Sequence, residues 1–307
     1  MIAPRLRAVL PLLGALVAAA CSDATAPIPS ADQGPGVFFV EMQNDTPIPW
    51  TASAPTGGCA ALTKYGGYVV FSADGTAHGA LRVWGYRCPI PNGSSLYFDG
   101  RDYFGTYQVH RAGLTVQTRY AQDTGTVSND GLRKSTTVDL TAQGVRMRLR
   151  RESDPAEAVR QINAMSAFPG PVRRAAGSAL FNVQPGPAGP YVVFDGYVLL
   201  AGDGSAYWVL MIGHSTADTA TIPFGGTYTA SGSQLAVSYA GGDPAGTVQL
   251  DGSSPSRATT AQFNMPFEWN GSPVDTLHLV LRRETDATSA AERVWRLQHP
   301  GWPWSIN

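Results

Sequence analysis

The chain has 307 residues, of which 15% are charged, and a formal net charge of −1. So weak a charge projects no long-range field toward nucleic acid or anionic lipid, and 43% apolar residues exclude a disordered chain. The length suits two domains at roughly 150 residues each, and 34 glycines with 23 prolines suit strands and turns more than helices.

Residues 1–20 read as a secretion signal: Arg5 and Arg7, then an apolar run from Leu10 to Ala20, too short to span a bilayer. Ala18-Ala19-Ala20-Cys21 resembles a bacterial lipobox, with Ala where Leu is usual three before the Cys. The resemblance implies an acylated Cys21 as the first mature residue. Ser22 in place of Asp then implies the outer membrane. Cleavage at the Ala-x-Ala site by ordinary signal peptidase is the alternative. Several acyl chains hold far better than one, because each buried methylene contributes ~0.8 kcal/mol. Residues 21–35, with Pro27, Pro29 and Pro35, form the lipidated Cys and an extended tether.

The first unit spans 36–171. Val37 to Met42 is its first strand, broken at Asn44-Asp45-Thr46-Pro47. Tyr65 to Ser72 and Thr76 to Tyr86 form a hairpin around Asp74-Gly75. A loop is expected at 87–102, then strands at Phe104 to His110, Leu114 to Tyr120, near Thr126-Val127, Ser135 to Ala142 and Val145 to Arg151. In the last strand Val145, Met147 and Leu149 alternate with Arg146, Arg148 and Arg150, one dry face and one wet, the charges guarding an edge. Asp154-Pro155-Ala156-Glu157 reads as a capping box that opens a helix with Ala158, Val159, Ile162 and Met165 as its apolar stripe.

Cys59 and Cys88 are the other cysteines, and in an oxidising compartment they pair with each other or between chains. Closing their loop of about 30 residues is worth ~3–4 kcal/mol in the loop-entropy picture. No CxxC or close His pair accompanies them, so metal and redox roles lack support. Trp84, Tyr86, Tyr97, Phe98, Tyr103 and Phe104 flank the long loop. They could line a barrel mouth that accepts an apolar ligand, or form ordinary core at the loop base.

Residues 172–177 link to a second unit, 178–307. Its strands are expected at 179–184, 191–200, 204–212, 224–230, 234–240, 247–250, 259–268 and 275–283, and its helix at about 289–298 with Val294, Trp295 and Gln298 inward. The two units repeat each other. Leu149-Arg150-Arg151-Glu152-Ser153-Asp154 returns as Leu281-Arg282-Arg283-Glu284-Thr285-Asp286. Gly67-Tyr68 and Asp74-Gly75 return 129 residues later. Gly105-Thr106-Tyr107 and Gly125-Thr126-Val127 return after 121, and the capping box returns at Ser289–Glu292 after 135. Tyr207 to Ile212 is apolar on both faces, so Tyr207, Val209 and Met211 are expected to contact the other unit.

The expected fold is all-β: two tandem antiparallel eight-stranded barrels, each followed by a short helix. Gly-Thr-Tyr entering a strand, a Gly turn and Leu-x-Val resemble the lipocalin-like barrels of bacterial lipoproteins, although the Gly-x-Trp of true lipocalins is missing. The resemblance implies a non-catalytic, membrane-anchored protein that binds a small apolar ligand or an envelope protein, with a scaffold of side-chain-filled barrels as the alternative. No cofactor, metal, catalytic residue or nucleic-acid partner is expected. There is no Gly-x-Ser-x-Gly or His-Glu-x-x-His, and the five histidines are scattered. Glu41, Glu152, Glu268 and Glu284 keep a hydrolase as a third reading.

Overall fold

The computed structural model describes residues 34–48, 64–90, 93–119, 121–129, 131–142, 144–166, 176–188, 191–216, 218–269 and 272–299, with backbone alone over 81–101. Cys21 and Cys59 lie outside the described residues, and of Cys88 only the backbone is described.

Each unit is a closed eight-stranded antiparallel barrel. The first contains β1 (Gly36–Gln43), β3 (Lys64–Phe71), β4 (Thr76–Ile90), β5 (Gly93–His110), β6 (Gly113–Thr118), β7 (Gln122–Val127), β8 (Thr137–Ala142) and β9 (Val145–Glu152), closed by β1 on β9. A short β2 (Thr46–Pro47) folds back on β1 through a turn in which Asn44 and Asp45 take positive φ. The second contains β10 (Ala179–Val183), β12 (Tyr191–Leu200), β13 (Ser205–Ser215), β14 (Asp218–Ser231), β15 (Gln234–Tyr239), β16 (Pro244–Leu250), β17 (Thr260–Trp269) and β18 (Ser272–Arg283), closed by β10 on β18 and β12, with a short β11 (Gly186–Ala188) beside β12. Two helices, α1 (Pro155–Ser166) and α2 (Ala287–Gln298), follow the barrels.

Closure removes every edge that the arginines of β9 were expected to guard, because β9 pairs with both β8 and β1. Arg146, Arg148 and Arg150 are instead an exposed, solvated row, with Arg146 on Asp45 and Arg148 on Asp139 at 2.8 Å. The expected loop at 87–102 is also strand. Lys64 pairs with Trp84, and β4 pairs with β5 as far as Ile90 on Gly93, so the hairpin stands well beyond the barrel rim. Pro89 falls in the one irregularity of that ladder, between Arg87 and Ile90, where a residue without an N–H is tolerated.

The ladders define which residues correspond. Val69 faces Gly79 and Gly79 faces Tyr103, as Val198 faces Trp208 and Trp208 faces Phe224, which keeps the shifts of 129 and 121. Leu114 faces Gly125, whereas its counterpart Leu235 faces Val248, so the shift for β7 is 123 (248 − 125). The match of Gly125-Thr126-Val127 to Gly246-Thr247-Val248 is therefore not structural. The true counterpart of Asp123 is Gly246. Gly105 and Gly226 do correspond, and the motif has a cause there: a Cβ on either would collide with the carbonyl oxygen of Gln117 or Ser238 on the next strand. Such glycine kinks let a strand coil tightly enough to close a small barrel.

Three further contacts recur. Tyr107 and Tyr228 donate their hydroxyls to the carbonyls of Ser72 and Ala201, tying β5 and β14 to the turn across the barrel floor, at 2.9 and 2.8 Å. Arg151 donates to the carbonyls of Leu132 (2.6 Å) and Ser135 (2.8 Å), and Arg283 to those of Pro255 (2.8 Å) and Ala258 (3.2 Å). Each arginine thus latches the loop that plugs the floor of its barrel. Glu152 and Glu284 each accept the next two backbone N–H groups, and Asp154 and Asp286 cap the helices. The repeated Arg-Glu-x-Asp is one device that turns the chain from last strand into helix. Replacing Arg283 by Met strips those two floor carbonyls of their donor. We expect a loss of about 1–3 kcal/mol in urea unfolding; a midpoint equal to wild type would remove the latch from the account.

The second capping box is a misreading. The cap of α2 is Asp286, accepting from Ser289 at 2.7 Å, so the helix begins at Ala287, and the shift is 132 (286 − 154), the same as for the last strand. Glu157 does not reach back to the cap either. It holds Arg160 and Gln161, and Asp154 N–H goes to Glu152. Gln298, expected inward, is exposed, and Leu297 is buried in its place.

The helices join the barrels. α1 packs on β3 and β9 of its own barrel and on β10 and β12 of the other; α2 packs on β1 and β3 of the first and on β12 of its own. One apolar cluster holds Val37, Tyr68 and Val70 from the first barrel, their counterparts Leu180, Tyr197 and Leu199 from the second, and both helices. Counterparts occupy counterpart places about a pseudo-twofold axis between α1 and α2, as in an isologous dimer.

Candidate functional site

The described aromatics of the long hairpin separate. Tyr103 is buried inside the first barrel, while Phe104 is half-buried on the opposite side of β5. Trp84 pairs with Phe98 and Gly85 with Tyr97 in the ladder, and Tyr86 with Leu96. The side chains of Trp84, Tyr86, Tyr97 and Phe98 lie outside the described residues. A single mouth lined by all six is therefore not what β5 provides, because alternation puts Tyr103 and Phe104 on different faces.

The barrel interiors differ at mid-height. In the second barrel Trp208 fills the centre, stacked on Phe224 at 5.5 Å between ring centroids, with Tyr239 at 5.7 Å and Phe263 edge-on at 5.8 Å. The corresponding positions in the first barrel are Gly79, Tyr103, Thr118 and Leu140. Val248 likewise corresponds to Gly125. Neither glycine can take a side chain on this backbone, since a Cβ would strike the carbonyl of Tyr68 or of Asp139. What the first barrel has at this level is polar: the Tyr103 hydroxyl donates to Asp123 Oδ2 at 3.0 Å, with both residues under 5% exposed. Burial, and then the neighbouring Asp123 carboxylate, push the Tyr103 hydroxyl far above the usual phenol range, so it remains a donor at any working pH. No feature of the sequence marked Asp123, because its period-two neighbours Gly125 and Val127 read as an ordinary strand.

The expected inter-unit residues also separate. Val209 and Met211 pack on the shared cluster, but Tyr207 is 39% exposed. The pseudo-symmetry explains the difference. The counterpart of Tyr207 is His78, which is buried beneath Trp295 at 5.3 Å between centroids. The counterpart of Trp295 in α1 is Asn163, too short to cover Tyr207 and engaged by the Tyr197 hydroxyl at 2.8 Å. Arg293 on Asp195 and His299 on Asp102 at 3.2 Å fasten α2 to the second and first barrels respectively.

Among the described residues no group of three or more His, Cys, Asp or Glu is placed to hold a metal ion. His78 and His110 share a hairpin, but His78 lies under α2, opposite Phe104, and His110 is exposed at the end of β5, past the last pair with β4. A shallow surface groove of about 270 Å³ runs beside Met42, Asp45, Asp139, Arg146 and Arg148. Its arginines are already paired with its aspartates. No described helix is long and apolar enough to cross a membrane.

No protein-family model matches the chain, and no curated protein matches it significantly. Among solved structures it is similar to a porin-like protein from Bacteroides uniformis ATCC 8492 over 82% of this chain and 96% of that one, with 7% identity and a TM-score of 0.16. A likeness of that degree fixes neither topology nor activity.

Proposed function

We propose that the chain is a non-catalytic, lipid-anchored binding protein of the bacterial outer membrane. Its first barrel takes a small apolar ligand, and its second barrel is a filled structural counterpart welded to it by α1 and α2. The observation that carries this reading is the asymmetry of the interiors: Trp208, Val248 and Phe263 plug one barrel where Gly79, Gly125 and Leu140 stand in the other. A barrel of eight strands either fills itself or holds one small ligand, and the proposal assigns one of each kind to this chain. The domain limits 36–171 and 178–307, the Cys59–Cys88 disulfide and the absence of catalysis belong to the same proposal. A scaffold that binds an envelope protein is the second reading, favoured by the self-filled second barrel.

Two measurements test the proposal. Cys21→Ser should move the protein from the membrane to the soluble fraction; equal membrane retention would remove the lipid anchor. The soluble variant should then bind N-phenyl-1-naphthylamine with one site per chain, read by fluorescence. Refilling the first barrel with the residues of the second, Leu140→Phe with Thr118→Tyr, should weaken that binding at least tenfold without lowering the unfolding temperature. Absence of any probe binding would leave the scaffold reading in its place.

A further inference from the structure

We infer that the floor of the first barrel docks on a bilayer containing anionic phospholipid, through Arg133, Lys134 and Arg150, with the β4–β5 hairpin pointing away from the membrane. The inference rests on the lipid anchor at Cys21, and it adds which face the anchored chain turns to the headgroups. Three observations support it. First, the chain leaves the fold at that floor. Gly34 lies so close on Arg133 that a Cβ there would strike the Arg133 Cβ, and Arg151 donates to the carbonyl of Pro35 at 3.1 Å. The tether therefore departs from the plug loop that Arg151 latches. The 13 residues from Cys21 to Gln33 span at most ~45 Å when fully extended, so an acylated Cys21 holds this face near the headgroups.

Second, that floor carries uncommitted positive charge. Leu132 is buried as the plug, while its neighbours Arg133 and Lys134 are exposed. Arg150, which faces Thr137 at the start of β8, is exposed as well. Among the described residues none of these three is in an ion pair. The described acids of the floor are engaged elsewhere. Glu152 and Asp154 accept backbone N–H groups at the start of α1, and Asp74 accepts from Thr76 in the β3–β4 turn, halfway round the barrel from the β7–β8 loop.

Third, the second floor lacks the basic pair. Arg151 latches Leu132 and Ser135 as Arg283 latches Pro255 and Ala258, so the counterparts of Arg133 and Lys134 are Ser256 and Arg257. That loop also adds an acid, Asp251, which accepts from Thr259 and Thr260. The pair thus belongs to the one floor from which the tether departs. A net charge of −1 gives no long-range attraction, and these side chains act only within a Debye length of about 8 Å. The tether supplies that proximity as an effective concentration. Each basic residue at an anionic surface then favours the docked state roughly fivefold. Because β4 begins at the floor with Thr76 and ends at Ile90 beyond the rim, docking floor-down sends the hairpin away from the bilayer.

The chain supplies its own reporters, because its two lysines are Lys134 in the floor and Lys64, which opens β3 at the other end of the barrel. The experiment takes the full chain as processed in a bacterial host and inserts it from detergent into preformed vesicles. These are phosphatidylcholine alone or equal parts phosphatidylcholine and phosphatidylglycerol. Both lysines are acetylated with an uncharged N-hydroxysuccinimide ester, and the two rates are read by mass spectrometry. On anionic vesicles Lys134 should react about fivefold more slowly than on neutral ones, with Lys64 unchanged. High salt should restore the Lys134 rate, and so should Arg133→Gln combined with Arg150→Gln, two exposed changes. Equal Lys134 rates on both vesicles, with the protein sedimenting with each, would overturn the docking and keep the anchor. Equal slowing of both lysines would overturn it as a general effect of the charged surface. Slowing that survives both salt and the paired substitution would overturn it as proximity imposed by the tether alone. A wild-type chain that sediments with neither vesicle would overturn the anchor, and the docking with it.

Discussion

Trp295→Ala should unfold both barrels at a lower denaturant concentration, in a single shared transition displaced by about 3–5 kcal/mol. Trp295 has no exposed surface and sits in the cluster common to both units. Its ring is stacked on His299 at 3.8 Å and lies against His78 of the first barrel at 5.3 Å. Removing it opens a cavity between the two hydrophobic cores, and helix α2 cannot collapse into it. Arg293 holds that helix on Asp195 of the second barrel, and His299 holds it on Asp102 of the first. The loss therefore falls on the coupling between the barrels as well as on either one. Met211→Asp attacks the same cluster from β13 and should act in the same direction, by leaving an unpaired charge against apolar walls. Calorimetry of wild type and both variants is the check. Two separated wild-type transitions, with only one moved by Trp295→Ala, would mean that the barrels fold as independent beads.

Much of this fold is visible as a pattern in the residues, and the places where it is not have specific causes. The strand starts and the Arg-Glu-x-Asp device repeat because each performs a local task that admits few alternatives: the arginine needs two carbonyls, the glutamate two N–H groups and the aspartate a helix end. The capping box at Ser289 deceives because Ser-x-x-Glu is sound local chemistry. Asp286 prevails because Glu284 has already turned the chain for it. The long hairpin was hidden by Cys88-Pro89-Ile90-Pro91, which reads as a breaker, although one proline can sit in a ladder irregularity. The shift at β7 was hidden by a coincidence of Gly-Thr-Val, and only the ladder partners reveal it. For the same reason Asp123 and Gly79 carry no mark of their own. Their meaning comes from occupying the places of Gly246 and Trp208, and no spacing rule reveals that before the register is known.

Acid should loosen the joint between the barrels before it unfolds either one's core. His78 is 4% exposed, under α2, and its Nε2 has no hydrogen-bond partner among the described residues. Burial lowers its pKa from 6.5 to about 4. Asp74, in the turn below, opposes that shift, while His299 and Arg296 on α2 reinforce it; among the described residues, Glu292 on α2 faces Arg296 and Asp74, and Asp102 on β5 holds His299. The folded pKa is depressed, so the unfolded chain binds the proton first. The contribution of a neutral His78 is fully present above pH 6.5 and is lost as the pH falls toward 4. A shift of that size corresponds to about 3 kcal/mol across the window. Glu292 tilts the other way, because burial raises its pKa and its protonation favours the folded state in acid. The two are separated by substitution: His78→Phe, which keeps a ring against Trp295, should flatten the stability profile between pH 4 and 6.5, and Glu292→Gln should steepen it. The readout is urea unfolding at half-unit intervals of pH, with the difference between wild type and His78→Phe taken at each point. A difference that stays constant over this range would show that His78 is protonated in the folded protein and that Asp74 overcomes its burial.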